Sequence, residues 1–329
     1  MIKNVALPED LTERAATLED LAAVHQLFQA HEMHYYGGVE STLDELRTLW
    51  TAPNLSLEAD SRVVFDRDGR LLAYLLLEHS KHAKYYLLCL IQPDYRNLRL
   101  REYLLALAET WARERIDQAE PGVRVTLNTS LPSSDEEGRQ LYERAGLQDV
   151  RRFWEMEIEF AAAPPAPNWP ANIELRPYVP GRDERPAFEL LDSAFQDHWG
   201  HIPNRFAEWK HWTVERPQFD PSLWFIAYQG EQMVGGAFCE LEEQRGWVDD
   251  LAVLRAARGK GLGMALLLHA FGAFYRRGLR KAGLGVDSQN LTGALRLYQR
   301  AGMHRVQENV SYEKELRAGV ELSTRTLAS

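Results

Sequence analysis

The stretch "GWVDDLAVLRAARGKGLGMALLL", residues 246–268, joins a strand-like run to a helical one through three glycines and two cations. Apolar residues dominate positions 246 to 254, as in a partly buried strand. Beyond the glycines, Leu262, Leu266, Leu267, Ala270, Phe271 and Phe274 recur at helical spacing as far as Gly278. A strand, a glycine-rich turn and a helix N-terminus together make an anion site. The first helical turn offers unpaired N–H groups, and glycines let a phosphate approach the backbone. Arg258 and Lys260 add full charges. A P-loop needs Ser or Thr after Gly-Lys, and here Gly261 follows Lys260. The dinucleotide fingerprint needs GxGxxG and an acid about 20 residues on. This loop reads GxGxG, and the segment in question, "YRRGLRK", carries no acid.

The same plan occurs twice. A charge-free Pro/Ala-rich segment, 161–171, divides the chain of 329 residues near its middle and reads as an extended connector. Gly69 and Gly230 each turn between two strand-like runs, and Arg96 and Arg258 each precede an apolar-periodic helix. "LYERAG" (141–146) matches "LYQRAG" (297–302), and "WEMEI" (154–158) matches "YEKEL" (312–316). These pairs are separated by 156 to 162 positions, a nearly constant offset that implies internal duplication of one α/β domain. Each copy reads as helix, strand hairpin, long strand, helix, strand, helix, strand, which implies a mixed, mostly antiparallel sheet flanked by helices. The expected division is a first domain over 1–160, a connector over 161–171, a second domain over 172–316 and a tail over 317–329.

Composition narrows the partners. The net charge of −10, from 38 basic and 48 acidic residues, argues against a nucleic-acid footprint and fits a cationic or amine-bearing small substrate. No segment approaches the roughly 18 apolar residues of a membrane span, and the N-terminus lacks a signal-peptide core. Cys89 and Cys239 lie in apolar segments, as buried thiols of a reducing compartment do. Scattered histidines and two cysteines make no metal-ligand pattern. A cytoplasmic, metal-free protein without membrane or nucleic-acid partners is expected. The duplication is compatible with a monomer.

Arg-x-x-Gly-x-Gly, at Arg258, Gly261 and Gly263, resembles the diphosphate loop of the GNAT (GCN5-related N-acetyltransferase) family. "NLTGALRLYQRAGM" (290–303) is similar to the family's Asn-x₃-Ala-x₃-Tyr-x₃-Gly element, through Asn290, Ala294, Tyr298 and Gly302. "LAV" (251–253) resembles the strand end whose backbone holds the pantetheine arm of coenzyme A in that family. These matches span about 145 residues of the second half. The resemblance implies two tandem GNAT-like domains, like those of the mycothiol synthase-like acetyltransferases. It further implies acetyl-CoA on Leu251, Ala252, Val253, Arg258, Gly259, Lys260, Gly261, Leu262, Gly263 and Asn290. The acceptor it implies is a primary amine of a small molecule or peptide.

Such acetyl transfer needs a proton acceptor for the amine, donors for the oxyanion and a proton donor for the departing thiolate. Tyr298 is the donor by resemblance. Asp249 is the expected base, on the strand entering the loop, and strand alternation would put Asp250 on the opposite face. The family's usual acid lies slightly earlier, near Trp247. "FQDHWGHIP" (195–203) falls where this fold builds its acceptor pocket and supplies His198 and Trp199 for proton shuttling and cation–π contact. A packing role for Tyr298, a turn role for Asn290 and a surface role for Asp249 stay open here, as do a non-catalytic acyl-CoA sensor and a scaffold. In the first half, "RNLRLR" (96–101) puts Arg99 and Arg101 where the second half has Gly261 and Gly263. Ser134 and Gly138 take the Asn290 and Ala294 positions, so a degenerate first copy that binds no cofactor is expected, the alternative being that its arginines themselves grip a phosphate.

Overall fold

The computed structural model describes residues 5–95, 98–203, 205–242, 245–290 and 292–325. Arg96 and Asn97 of the first-half loop lie outside them. In chain order the elements are β1 (Thr12–Arg14), α1 (Leu21–Tyr36), α2 (Leu43–Trp50), α3 (Leu57–Asp60), β2 (Ser61–Phe65), β3 (Leu71–Ser80), β4 (Lys84–Ile91), α4 (Leu98–Glu114), β5 (Val125–Pro132), α5 (Glu136–Arg144) and β6 (Gln148–Glu159). They continue with β7 (Glu174–Pro177), α6 (Glu184–Phe195), α7 (Phe206–Trp212), β8 (Trp224–Gln229), β9 (Gln232–Leu241), β10 (Gly246–Val253), α8 (Leu262–Arg276), β11 (Lys281–Asp287), α9 (Ala294–Arg300) and β12 (His304–Arg317). The short strands β1 and β7, which precede the first helix of each copy, were not anticipated from sequence. At three and four residues they are too short to show a period.

Two compact units result, 1–152 with 309–322 and 153–308 with 323–329. Their boundaries differ from the division expected from sequence. Residues 153–159 of β6, placed by sequence at the end of the first domain, pair antiparallel with β11, from Phe153–Asp287 to Glu159–Lys281. Residues 309–317 of β12 pair antiparallel with β5 in the first unit. Each copy's last strand thus completes the other copy's sheet. The connector 161–171 and the residues 323–325 both belong to the second unit.

The second unit carries β6, β11, β10, β9, β8 and β7 in that order, antiparallel except for the β10–β11 pair. Helices cover both faces. On one, Leu190 and Leu191 of α6 and Trp209 of α7 pack on Trp224, Ile226 and Phe238. On the other, α8 buries Leu262, Leu266, Leu267, Ala270, Phe271 and Phe274, the residues its spacing singled out, against Ala237, Val248 and Leu284. Burying each of the larger side chains is worth roughly 1.5–3 kcal/mol, so this stripe fixes the helix and the loop before it. The helix ends at Arg276, and Gly278 follows with φ of 89°. The first unit repeats the plan, with α1 and α2 on one face and α4 and α5 on the other.

The exchange has a direct consequence for fragments. A chain starting at Ala171 lacks the β6 residues that pair with β11 and exposes that edge, whereas one starting at Gln148 keeps them. The longer fragment is expected to melt cooperatively by circular dichroism and the shorter one to lose that transition. Equal melting of the two would show the exchanged strand to be dispensable.

Candidate active site

β10 and β11 pair in parallel only at Gly246–Ala282 and Trp247–Gly283. Beyond these pairs they part, so among the described residues the backbone from Val248 to Ala252 has no strand partner on its β11 side. On its other side β10 stays paired with β9, but the register shifts between Val248 and Asp250. Asp249 is the extra residue of that bulge. A bulge interrupts alternation, and Val248 packs toward α8 while Ala252, four residues on, packs toward α6. Strand alternation therefore does not separate the two aspartates as the sequence suggested: Asp249 and Asp250 border the same cleft.

The cleft holds about 870 Å³ and is lined by β10, the loop 257–263, the start of α8, α9 and the segment 194–201. Gly259 and Gly261 take left-handed φ of 76° and 89°, and a β-carbon at either would meet nothing within 4 Å. Their reason for being glycine is backbone conformation, and the space above them is free for an anion. Gly263 differs: a β-carbon there would lie 3.0 Å from Leu297 Cδ1, so this glycine allows α8 and α9 to pack closely. Gly261 caps α8, whose first turn begins beside this space.

The loop cations do not point into that space. Arg258 donates from Nε to the Val253 carbonyl (3.0 Å) and from Nη2 to the Ala194 carbonyl (2.8 Å), and its Nη1 lies 3.4 Å from Asp197. Lys260 donates to the Ala256 carbonyl. Asp197, with a side chain only 5% exposed, pairs with both Arg255 and Arg258, and these cations hold its carboxyl below the usual range. The Asp197–Arg258 contact thus ties the end of α6 to the loop. Arg296 and Arg300 of α9 border the cleft, are exposed and form no ion pair among the described residues. Sequence reasoning passed over them because α9 was read through its Asn–Tyr pattern alone.

The other expected residues lie as follows. Leu251 and Val253 border the cleft, whereas the Ala252 side chain is buried against α6 and leaves only its backbone for a ligand. Leu262 lines the cleft from the first turn of α8. Asn290 also lines it, with Oδ1 accepting from Thr292 N at 2.7 Å, a turn role that leaves its Nδ2 for a ligand. Tyr298 is 8% exposed and borders the cleft, and its hydroxyl has no hydrogen-bond partner among the described residues. Burial, with a smaller contribution from the charge of Asp250, raises its pKa, so it stays protonated.

His198 and Trp199 line the cleft with Phe153, which β6 contributes and the sequence did not flag. Burial and the nearby Arg258 charge lower the His198 pKa, so the ring is neutral at pH 7. Residues 323–325 brace this wall. Gly200 N donates to the Thr324 carbonyl (2.7 Å), Thr324 N donates to the His201 carbonyl (3.0 Å), and Arg325 lies 4.9 Å from the Trp199 ring centre.

The carboxylates are set apart from ordinary ones. Burial pushes Asp250 up to about 6, offset in part by Arg216. Asp249 is raised well above the usual carboxylate range by burial and then by the neighbouring Glu240. A carboxylate with a raised pKa in a cleft, next to a protonated phenol, can take a proton near neutral pH while the phenol gives one.

The corresponding cleft of the first unit is built differently. It holds about 380 Å³, and Arg101 enters it to pair with Asp135 at 2.6 Å. A β-carbon on Gly138 would fall 2.1 Å from Arg101 Nη1, so the glycine makes room for the guanidinium. Tyr142, in the slot of Tyr298, is 1% exposed and packs edge-on against Tyr312. Arg99 is exposed.

Residues 185–303 match the acetyltransferase (GNAT) family. The chain is 30% identical over 238 residues to a mycothiol acetyltransferase of Thermobispora bispora, covering 68% of this chain and 74% of that one. It is 29% identical to a mycothiol acetyltransferase of Geodermatophilus obscurus, over 68% and 72% of the two chains. Among solved structures, a GCN5-related N-acetyltransferase from Sphaerobacter thermophilus superimposes with a TM-score of 0.83 at 32% identity, over 97% of this chain and all of that one. A tandem GNAT protein of the clavulanic acid biosynthesis pathway shares the fold, with a TM-score of 0.72 at 16% identity over 94% of this chain and 100% of that one. With a cleft where a splayed strand pair meets an open glycine loop, and with these relatives, the chain belongs to the GCN5-related N-acetyltransferase family, as a tandem member that carries its fold twice.

Proposed function

We propose that the second unit transfers an acetyl group from acetyl-CoA to a primary amine of a small molecule or peptide. One observation carries this reading: the unpaired backbone of β10, the open space above Gly259 and Gly261, the Tyr298 hydroxyl and two carboxylates of raised pKa border one cleft. The family match over 185–303 supports this unit as the working one. The relatives' shared name, mycothiol acetyltransferase, supports a small-molecule acceptor, and an amine that also carries a thiol belongs among those tried.

The residues divide the work. Backbone groups from Leu251 to Val253 would hold the pantetheine arm, and the N–H groups from Gly259 to Gly263 the diphosphate, with Arg296 and Arg300 as the free cations nearby. Arg258, Lys260 and Asp197 hold the loop in shape. Acetyl-CoA, when bound, supplies the thioester carbon that the amine nitrogen attacks: the C–N bond forms, the C–S bond breaks, and sulfur leaves with the electron pair. Asp249, with Asp250 as the runner-up, takes the proton lost by the amine, and Tyr298 gives one to the sulfur. Trp199 and His198 face the acceptor. The deciding experiment is thiol release from acetyl-CoA with a panel of amines that includes sugars, antibiotics, peptide N-termini and cysteinyl conjugates. Binding of acetyl-CoA without turnover on any amine would leave a sensor instead.

Gly261→Val is expected to reduce acetyl-CoA affinity at least tenfold by calorimetry while costing only about 1–2 kcal/mol of stability through its left-handed φ. Unchanged affinity would remove the diphosphate reading. Tyr298→Phe should keep acetyl-CoA binding and lower kcat by about 10²–10⁴-fold, the usual contribution of a general acid. Turnover within about twofold of wild type makes Tyr298 a packing residue.

For the base, Asp249→Asn is expected to cost a similar factor, and the same loss confined to Asp250→Asn hands the role to its neighbour. The base acts ionised and its pKa is raised, so kcat/KM should climb with pH through that pKa and level off above it. With Asp250 as base the midpoint falls near pH 6, and with Asp249 it lies well above the usual carboxylate range. Finally, equilibrium binding should give one acetyl-CoA per chain, because the Arg101–Asp135 ion pair intrudes on the first unit's smaller cleft. A stoichiometry of two overturns that assignment.

A further inference from the structure

Asp249 does not stand alone behind the cleft. The bulge that frees it from pairing sets it beside β9, where Glu240 is the register partner of Trp247. Arg216, in the loop after α7, reaches over the same strand: its Nη2 lies 2.7 Å from Glu240 and 4.0 Å from Asp249. Arg216 and Glu240 are mostly buried, with side chains 19% and 12% exposed, whereas Asp249, at 32%, opens to the cleft. No other carboxylate pairs with Arg216 among the described residues, and its Nε is buried without a partner. One cation therefore stands against two carboxylates. Neither Arg216 nor Glu240 borders the cleft itself, so neither touches the reacting atoms.

We infer that Arg216 and Glu240 are positioning residues that act through Asp249, Glu240 by opposing its negative charge and Arg216 by favouring it. This rests on the reading of Asp249 as base. Two charges of opposite sign at one group act in opposite directions. The Glu240 carboxylate disfavours a second anion beside it and keeps the proton on Asp249 to higher pH. The Arg216 guanidinium limits that effect and fixes the Glu240 carboxylate in place. Together they hold Asp249 as a base stronger than an ordinary aspartate, in keeping with the upward shift caused by burial and Glu240. The other titratable groups around Asp249 are Asp250 on its own strand and the buried Cys239 thiol on β9, with Arg277 near that thiol at the end of α8 and Tyr298 of α9 beyond Asp250. Burial raises the thiol further, so it is uncharged at neutral pH. The charges that act on Asp249 are then Glu240, Arg216 and Asp250, while Arg277 acts on the thiol.

The test needs no acceptor. In protein labelled with ¹³C at the aspartate carboxyls, the Asp249 resonance is identified by its loss in Asp249→Asn and followed against pH. Glu240→Gln is expected to lower the apparent pKa of Asp249 by about one unit, and Arg216→Met to raise it by about one unit. Arg216→Lys, which restores the charge, should bring it most of the way back. Asp250→Asn, carried in parallel, measures the remaining charge. Shifts of the same sign in Glu240→Gln and Arg216→Met, or none above about 0.3 unit, overturn the inference and leave the pair a structural contact. Should Arg216→Met fail to fold, Arg216→Gln and Glu240→Gln carry the same opposed expectation. The outcomes separate from those of the base reading: an Asp249→Asn variant at full rate sinks the base, whereas a slow Asp249→Asn variant with an unmoved titration sinks only the role of Arg216 and Glu240.

Discussion

The separation of β10 from β11 is the constraint on which the site depends. Two parallel pairs hold the strands at Gly246 and Trp247, and then the ladder ends while β10 goes on pairing with β9. Inside a sheet the backbone left over by such a parting has to find other partners. Here it faces a cleft and is available to a ligand. The bulge at Asp249 works with the parting, since it turns Val248 toward α8 and Ala252 toward α6 and delivers two consecutive carboxylates to one opening. α8 then starts at the mouth of the cleft, because Gly261 can adopt the left-handed turn that aims the helix N-terminus there.

Charge is partitioned around this opening according to burial. Basic side chains that look in sequence like phosphate ligands serve as braces: Arg258 bonds two carbonyls and Asp197, and Lys260 closes on its own turn. A guanidinium suits this role because its fork of donors can satisfy several acceptors at once. Backbone amides and the exposed Arg296 and Arg300 remain for an anion. Deeper in, burial raises the pKa values of Asp249 and Asp250, and at Asp249 the neighbouring Glu240 adds to it. A neutral buried carboxyl costs far less than a buried anion.

The two copies show how the same skeleton supports or closes a cleft. In the second unit, Gly263 lets α8 lie close to Leu297 and keeps the opening free. In the first, the residue at that position is Arg101, whose guanidinium turns inward to Asp135, and Gly138 has lost its side chain to accommodate it. The ion pair is largely buried and hydrogen-bonded, so opening the cleft would strand two charges, a change that commonly costs several kcal/mol. Tyr142 keeps its place in the chain pattern but packs on Tyr312 instead of meeting a cleft.

The sequence by itself determined the duplication, the alternation of strands and helices, and the strand–loop–helix around Arg258 to Gly263. All of these rest on local periodicity and on residue types that dictate backbone conformation. It also singled out Tyr298, Asp249, His198 and Trp199, since unusual residues at fixed distances from the loop are visible without a structure. Only the tertiary structure decided which strand ends which sheet: β6 and β12 have similar patterns, and an edge of N–H and C=O groups does not distinguish one matching strand from another. The bulge was equally hidden, because one extra residue in "VDDLAV" leaves no mark on composition yet reverses every face after it. Gly263 as a packing glycine, Arg258 as a brace, Phe153 on the cleft wall and Arg216 with Glu240 behind Asp249 all depend on residues far apart in the chain. Such contacts are set by how helices and strands pack, and no spacing within a single segment encodes them.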